Sequence, residues 1–170
     1  MSVEKEIKIL EVEKSIYSKI FKIGGKLVKS GVITTIFLDF DDNKIREKGD
    51  ILRLRIFKKE VELTYKKRKK SKKLKVAEEI NVKVDNYKET LKILRNIGLK
   101  KILKIKKIRK LYKVSKNFEI AVDKIEGIPL YIELEGDEKK IFKFIKKLGL
   151  ENKKVVDWDT FELLEYYGKL

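Results

Sequence analysis

The 170-residue sequence contains no cysteine, no histidine and no glutamine, and it has a single proline. Without cysteine the chain has no disulfide, no thiolate nucleophile and no zinc–sulfur centre. Without histidine it has no imidazole-bound metal and no Ser–His or Cys–His couple. Any catalysis must therefore come from carboxylates, Lys, Arg, Tyr or a metal ion held by oxygen atoms, and such sites suit Mg²⁺ or Mn²⁺.

The sequence also lacks long apolar segments. No apolar run approaches the roughly 20 residues that are needed to span a bilayer. The N-terminus is charged from Glu4 onward, which is unlike a signal peptide. We therefore expect a soluble, cytoplasmic protein with no membrane partner.

Charge is what the sequence has in excess. Lys and Arg number 44 against 27 Asp and Glu, which gives a formal net charge of +17. This excess favours an anionic partner. The alternative is compositional, because a bias towards Lys, Ile and Glu with few thermolabile residues is reported for heat-adapted proteins. No repeat and no Pro/Gly-rich linker interrupts the chain, so residues 1–170 are expected to form one domain.

Hydrophobic periodicity predicts about eight strands and a few amphipathic helices. The predicted strands are 3–13, 32–40, 51–57, 61–66, 74–84, 99–114, 117–124 and 130–134. The predicted helices are 14–29, 85–97 with Asp85 as N-cap, 138–148 with Asp137 as N-cap, and 161–166. Gly49, Gly98 and Gly149 are expected at the ends of turns and helices, and the basic run 66–73 is expected to be a solvated hairpin loop. This pattern predicts an α+β fold, a closed antiparallel eight-stranded β-barrel, or tunnel, with helices packed outside.

The strands place charged and apolar side chains on opposite faces, because residues two apart on a strand share a face. The charged faces carry doublets of both signs, such as Glu4/Glu6, Arg53/Arg55 and Glu133/Glu135. The ordinary alternative is that these faces meet water. However, the amphipathic helices need an apolar outer surface to pack against, and a sheet closed with its charged faces inward would supply it.

An inward charged face has a definite chemical use. Carboxylate pairs repel each other unless a cation lies between them, and neighbouring strands are close enough for two such pairs to hold one or two metal ions. Arg and Lys on other strands would bind phosphate oxygens. A polyphosphate accompanied by Mg²⁺ or Mn²⁺ fits this mixed lining.

The same residues resemble the CYTH family, which groups class IV adenylyl cyclases with thiamine triphosphatases and inorganic triphosphatases. The family's N-terminal ExExK motif stands here as Glu4-Lys5-Glu6-Ile7-Lys8. Four further segments follow in family order and cover nearly the whole chain: IFLDF (36–40) with GDILRLR (49–55), ELTYK (62–66), KIR (107–109) and VDKIEGIPLYIELE (122–135). Pro129 departs from the family pattern, in which glycine is usual.

The resemblance implies roles for the matching residues. Catalytic residues would be Glu4, Glu6 and Lys8. Metal ligands would be Glu4, Glu6, Asp123, Glu133 and Glu135. Phosphate-binding residues would be Lys8, Arg53, Arg55, Lys66, Lys107 and Arg109. Glu79 is the candidate for an additional acid, with the adjacent Glu78 as the alternative register.

The resemblance leaves two reactions open. The spacing of the motifs is most similar to the class IV adenylyl cyclase branch, which converts ATP to cyclic AMP and pyrophosphate; the alternative is hydrolysis of thiamine triphosphate, a nucleoside triphosphate or tripolyphosphate. A remote alternative is a nucleic-acid-binding protein that uses its basic surface, but the strands offer no aromatic stacking platform, so no specific nucleic-acid partner is expected. A homodimer could form through Phe161, Tyr166 and Tyr167, which are expected to be exposed. The alternative is that the same side chains pack locally.

Overall fold

The computed structural model describes residues 2–71 and 73–170. Its strands are β1 (Ser2–Ile9), β2 (Lys26–Asp39), β3 (Ile51–Phe57), β4 (Glu60–Lys69), β5 (Lys75–Lys83), β6 (Lys100–Ser115), β7 (Phe118–Ile125), β8 (Tyr131–Gly136) and β9 (Val155–Val156). Its helices are α1 (Ile16–Lys22), α2 (Tyr87–Asn96), α3 (Glu138–Lys147) and α4 (Thr160–Tyr166), and one turn of 3₁₀ helix covers Arg46–Lys48. Among these residues no helix has the length and apolar character that crossing a membrane requires.

The strands pair in the order β5-β4-β3-β2-β6-β7-β8-β1-β9, and β5 also pairs with β1. This second pairing closes the sheet, so that eight antiparallel strands form a barrel and β9 is added beside β1. The predicted fold class, an α+β closed antiparallel barrel, is confirmed. The short strand β9 escaped prediction because two residues carry no readable periodicity.

The chain divides into two compact units that alternate along the sequence. The first unit comprises residues 2–3, Gly31–Lys70 and Ala77–Lys107. The second comprises Glu4–Ser30, Ser71–Val76 and Ile108–Leu170. Each has its own core.

The core of the second unit lies between helices and the apolar faces of three strands. It joins Ile7 and Ile9 of β1 to their counterparts on β7 and β8, with Ile16 and Ile20 of α1 and Ile141 of α3 packed against them. Full burial of each such side chain stabilises the fold by roughly 1.5–3 kcal/mol. Since apolar side chains alternate with charged ones on these strands, the charged side chains lie on the face turned away from α1 and α3.

The core of the first unit follows the same plan. Leu54 of β3 and Ile36 and Leu38 of β2 are buried, and Leu91 and Leu94 of α2 pack against the cluster they form. Helix α2 is thereby held against the apolar side of β2 and β3, and the opposite side of β3 carries Arg53 and Arg55.

The ends of the helices show where the predicted boundaries were right and where they were wrong. Asp137 accepts a hydrogen bond from the Lys139 amide as the predicted N-cap of α3. The N-cap of α2 is Asn86, whose Oδ1 accepts from the Lys88 and Glu89 amides, so the prediction of Asp85 is wrong by one residue. Both types cap well, and only the local backbone selects between them.

The helix predicted over 14–29 is much shorter. It ends at Lys22, and Gly24 just beyond it has φ +85°, a left-handed conformation that stops a helix. Gly25 has no room for a side chain, since a Cβ there would lie 2.5 Å from Ile20. The residues beyond Gly25 begin the 14-residue strand β2. Gly49 ends the 3₁₀ turn, as predicted, and has a left-handed conformation.

Two expectations about surface segments are corrected. The basic run 66–73 is not a loop throughout, since residues 66–69 belong to β4 and Lys66 is buried; Lys72 lies outside the described residues. Phe161 is not exposed but belongs to the buried core, whereas Tyr166 is exposed as expected and its ring contacts those of Trp158 and Tyr167. The rings of Trp158, Tyr166 and Tyr167 thus contact one another while Tyr166 stays exposed, and the homodimer stays a prediction.

Candidate functional site

Several charged side chains on the strands are buried in both units. Glu6, Lys8, Arg53, Lys66 and Asp123 are each at most 9% exposed. The ordinary alternative, in which these faces meet water, is wrong at these positions. Buried ionised groups cost several kcal/mol each unless they are paired, so their arrangement must be explained by their contacts.

The second unit brings three carboxylates together on neighbouring strands. Glu6 of β1 lies directly opposite Glu135 of β8 in the strand register. Carboxylate oxygens of Glu4, Glu6 and Glu135 all lie within 4.8 Å of one another. Like charges directly opposite each other destabilise a sheet, and a cation between them removes this penalty.

Lys8 is held at the edge of these carboxylates by three oxygen atoms. Its Nζ donates to the Trp158 carbonyl at 2.6 Å, and it lies 3.7 Å from Glu6 and 3.6 Å from Glu133. Position 8 faces position 133 in the register of β1 and β8. The lysine of the ExExK motif therefore lies beside acidic side chains of both β1 and β8.

Arg109 of β6 forms a planar fork onto the carboxylates of Asp123 on the adjacent strand β7 and of Glu133 on β8. Its Nε donates to Asp123 Oδ1 at 2.7 Å, its Nη2 donates to Asp123 Oδ2 at 2.5 Å, and Nη2 also contacts Glu133. Burial alone would lower the pKa of Arg109, but Asp123 and Glu133 raise it well above its ordinary value. The same two carboxylates, after burial as the larger cause, raise the pKa of the buried Tyr131 hydroxyl well above its usual range.

Two residues of this group escaped the sequence reasoning. Lys75, the first residue of β5, is buried and its Nζ lies 2.7 Å from Glu6 Oε1. It shares a face of β5 with Glu79, and Tyr131 shares a face of β8 with Glu133 and Glu135, so strand parity alone was a usable signal for both.

The first unit gathers a mainly basic group. Lys66 Nζ of β4 lies 2.6 Å from Glu79 Oε2, and Arg53 Nη2 of β3 lies 3.9 Å from the same oxygen. Arg53 Nε is buried without a hydrogen-bond partner among the described residues. A buried donor left in this state is costly, and an anion that accepts from it would satisfy it.

Electrostatics fix the charge state of Glu79. Burial would raise its pKa, but attraction to Lys66, hydrogen bonds from Asn81 and Lys66, and attraction to Arg53 lower the pKa to about 2. Glu78, the alternative register, instead pairs with Lys69 at 3.0 Å. Of the two acids, Glu79 is therefore the one that joins the basic group.

The other predicted phosphate-binding residues of this unit lie on the same strands or on β6. Arg55 lies two residues from Arg53 on β3 and faces Glu62 in the register, and Lys107 of β6 is buried. Among the site residues of the first unit, four are basic (Arg53, Arg55, Lys66 and Lys107) and one, Glu79, is acidic. In the second unit, the carboxylates of Glu4, Glu6, Asp123, Glu133 and Glu135 outnumber the cations of Lys8, Lys75 and Arg109.

The donor set of the second unit fits a hard divalent cation. Glu4, Glu6 and Glu135 offer carboxylate oxygens that lie within 4.8 Å of one another, and Mg²⁺ and Mn²⁺ prefer oxygen ligands. Asp123 and Glu133, predicted as metal ligands, are engaged by Arg109. Within the described part of the chain, the group of carboxylates with the geometry for a metal ion thus contains three residues, fewer than the five metal ligands that the sequence predicted.

The chain matches a known protein family along most of its length. A family model described as the CYTH domain matches residues 2–157, and the chain belongs to the CYTH family. The family resemblance noted in the sequence is confirmed.

Individual relatives extend the comparison. The chain is 32% identical over 134 residues to the "putative adenylate cyclase" of Methanocaldococcus jannaschii, with 78% of this chain and 76% of the relative covered. It is similar in structure to the PH1819 protein of Pyrococcus horikoshii (TM-score 0.83, 27% identity, 96% of this chain and 98% of that chain). It shares its fold with the "putative adenylyl cyclase" HpAC1 of Hippeastrum, described as having a dominant triphosphatase activity (TM-score 0.71, 17% identity, 100% and 97% covered).

Proposed function

We propose that this protein is an enzyme, dependent on Mg²⁺ or Mn²⁺, that acts on a triphosphate, and that its reaction is that of a class IV adenylyl cyclase. The observation that carries the proposal is the set of opposite charges, several of them buried, on the strand faces turned away from the helices. An acidic group suits the divalent cation that accompanies a triphosphate, and a basic group suits its phosphate oxygens. Neither group has a structural need to be buried, because apolar residues of similar volume cost less.

Each residue has a chemical task under this proposal. Glu4, Glu6 and Glu135 hold the cation, which when bound polarises phosphate oxygens and neutralises their charge. Arg53, Arg55, Lys66 and Lys107 stabilise negative charge on the phosphates, and Arg53 Nε gains the acceptor it lacks. Lys8 and Arg109 are held by carboxylates in defined orientations, which reduces the reorganisation needed when a phosphate approaches.

In the cyclase reaction the ribose 3′-oxygen attacks the α-phosphorus and pyrophosphate leaves. The name of the Methanocaldococcus jannaschii relative supports this reaction. The second candidate is hydrolysis, in which water attacks the terminal phosphorus of ATP, thiamine triphosphate or tripolyphosphate. The triphosphatase activity stated for the Hippeastrum protein favours it. Both reactions use in-line geometry and the same charge stabilisation.

A product assay decides between the two reactions. Purified protein is incubated with ATP and Mg²⁺ or Mn²⁺, and the nucleotides are separated by chromatography. Cyclic AMP with pyrophosphate supports the cyclase, whereas ADP with orthophosphate supports the triphosphatase. Thiamine triphosphate and tripolyphosphate as alternative substrates identify the other hydrolases. If every triphosphate stays intact and unbound with either metal, the proposal is overturned.

Variants test whether the buried charges are responsible. Glu4→Ala in the second unit and Arg53→Ala in the first should each lower turnover by at least about 10²-fold. The matched control is Lys67→Gln/Lys70→Gln/Lys73→Gln, which removes three exposed charges of the basic run and should retain turnover. A nucleic-acid-binding protein would show the reverse pattern, with affinity that falls steeply with salt and is lost in the triple variant.

A further inference from the structure

Lys75 contacts the acidic group in a way that the proposed function does not require. Its side chain is 9% exposed, and its Nζ lies 2.7 Å from Glu6 Oε1. Glu6 is one of the three carboxylates whose oxygens lie within 4.8 Å of one another. A lysine ammonium is therefore bound to an oxygen of the carboxylate cluster that fits a divalent cation.

The ammonium of Lys75 is held in its charged form by its surroundings. Burial alone would lower its pKa, but Glu6, then Glu4 and Glu133, raise the pKa above the ordinary value. Three carboxylates thus act on one buried ammonium. In the absence of another cation, Lys75 offsets part of the repulsion between the acidic strands β1 and β8.

We propose that Lys75 is a positioning residue that serves as a built-in counter-charge for Glu6 and competes with the divalent cation for this carboxylate. The inference rests on the proposed metal-binding role of Glu4, Glu6 and Glu135. An ammonium and a metal ion need the same lone pairs of Glu6, and they repel each other at short distance. Lys75 therefore orients Glu6 and limits the affinity of the cluster for its cation.

Two consequences follow. Without metal, Lys75 stabilises the fold, because removing it takes a counter-charge from the buried Glu6 carboxylate. With metal, the ammonium must give up its contact with Glu6, and part of the binding free energy is spent on that displacement. A lysine with a purely structural role would produce the first consequence and not the second.

The test measures metal binding directly, without a nucleotide. Isothermal titration with MnCl₂ and with MgCl₂ is performed on the wild type, Lys75→Gln, Lys75→Arg and Lys73→Gln. Loss of the charge in Lys75→Gln should tighten binding by about tenfold, in line with one close like charge removed at high effective dielectric constant. Lys75→Arg keeps the charge and Lys73→Gln removes an exposed one (71% exposed) two residues away, so both should bind like the wild type.

Unchanged or weaker binding by Lys75→Gln overturns the inference while the metal site stands. If neither the wild type nor any variant binds either metal, the proposed function is overturned as well. Glu6→Gln separates the cases further, since it should weaken the binding that Lys75→Gln strengthens.

A second measurement avoids any dependence on the folding of Lys75→Gln. The wild-type protein is labelled with [ε-¹³C]lysine, and the Lys75 resonance is assigned as the signal missing in Lys75→Arg. Saturating Mg²⁺ should shift this resonance, because the ammonium leaves Glu6. A resonance that does not move while titration shows Mg²⁺ bound would refute the competition.

Discussion

Single residues on the inner strand faces are charged, buried and in contact with opposite charges. Lys66 and Arg53 flank Glu79 in the first unit, and Arg109 forks onto Asp123 in the second. Charge pairs of this kind roughly compensate their own desolvation and add little net stability. Their presence therefore points to a use other than stability, and their contacts determine how each group responds to pH.

The pH dependence of Glu79 gives a test at this scale. Its folded pKa is about 2, below the ordinary 4.5. A lowered folded pKa contributes stability that is fully present above the ordinary pKa and is lost as pH falls through the folded value. Wild-type stability should fall between pH 4.5 and about 2, and Glu79→Gln should be less stable at pH 7 with a weaker fall in this window. Urea midpoints measured across this range check the difference.

The control is Glu78→Gln, which removes the adjacent carboxylate paired with the partly exposed Lys69. Its profile should follow that of the wild type, since exposed pairs contribute little. Equal slopes for Glu79→Gln and the wild type would show that the Lys66 and Arg53 contacts do not set this pKa.

The elements position these residues through two periodicities. Side chains alternate between the two faces of a strand, so one face of β1 carries Glu4, Glu6 and Lys8. On the other face, Ile7 and Ile9 belong to the core. The helices need only an apolar stripe and firm ends, which are supplied by Asn86, Asp137 and Asp159 as N-caps. Asp159 forms a full capping box with Glu162.

The N-cap of α2 provides a test at the element scale. Asn86 accepts from the Lys88 and Glu89 amides, whereas the sequence favoured Asp85. Asn86→Ala should cost about 1 kcal/mol of stability in urea unfolding. The matched change Asp85→Ala should stay within about 0.5 kcal/mol of the wild type. Equal losses, or a larger loss for Asp85→Ala, would contradict the cap assignment.

At the scale of the molecule, the strand order closes through the β5–β1 pairing, and several strands do not belong to one unit alone. Strands β1, β2, β5 and β6 each run from one unit into the other. Hydrogen-bonded strands that continue through both units should couple their unfolding. We therefore propose that residues 1–170 unfold as one cooperative domain, as the sequence led us to expect.

Core substitutions in each unit test this coupling. Leu54→Ala in the first unit and Leu134→Ala in the second remove fully buried side chains, and each should cost about 2–5 kcal/mol. Trp158 belongs to the second unit, so its fluorescence is followed together with far-ultraviolet circular dichroism. Both probes should give one coincident transition in the wild type and in both variants.

A transition seen by dichroism before the Trp158 signal in Leu54→Ala would mean that the first unit unfolds alone. The exposed Val28→Ala (54% exposed) serves as the control for a change in side-chain size without loss of core packing.

Much of the arrangement was readable from sequence because it depends on local rules. Alternation placed Arg53 and Arg55, or Glu133 and Glu135, on one face of a strand, and the glycines at positions 49, 98 and 149 marked turns and helix ends. The prediction was weaker where local rules allow two answers. Asp85 and Asn86 are equally good caps by type, and a run of lysines is compatible with both a loop and the end of a strand.

The sequence by itself determined the fold class, the family and the face on which each charge lies, because strand parity and motif order need no long-range information. Only the tertiary structure decided which charges meet. Lys75 and Glu6 are 69 positions apart, and their contact depends on how β5 closes onto β1. Asp123, expected to be a metal ligand by motif, accepts hydrogen bonds from Arg109 of the neighbouring strand β6, a contact that the sequence did not predict. The physical reason is that strand register, set by the packing of the whole sheet, fixes the partners of a buried charge.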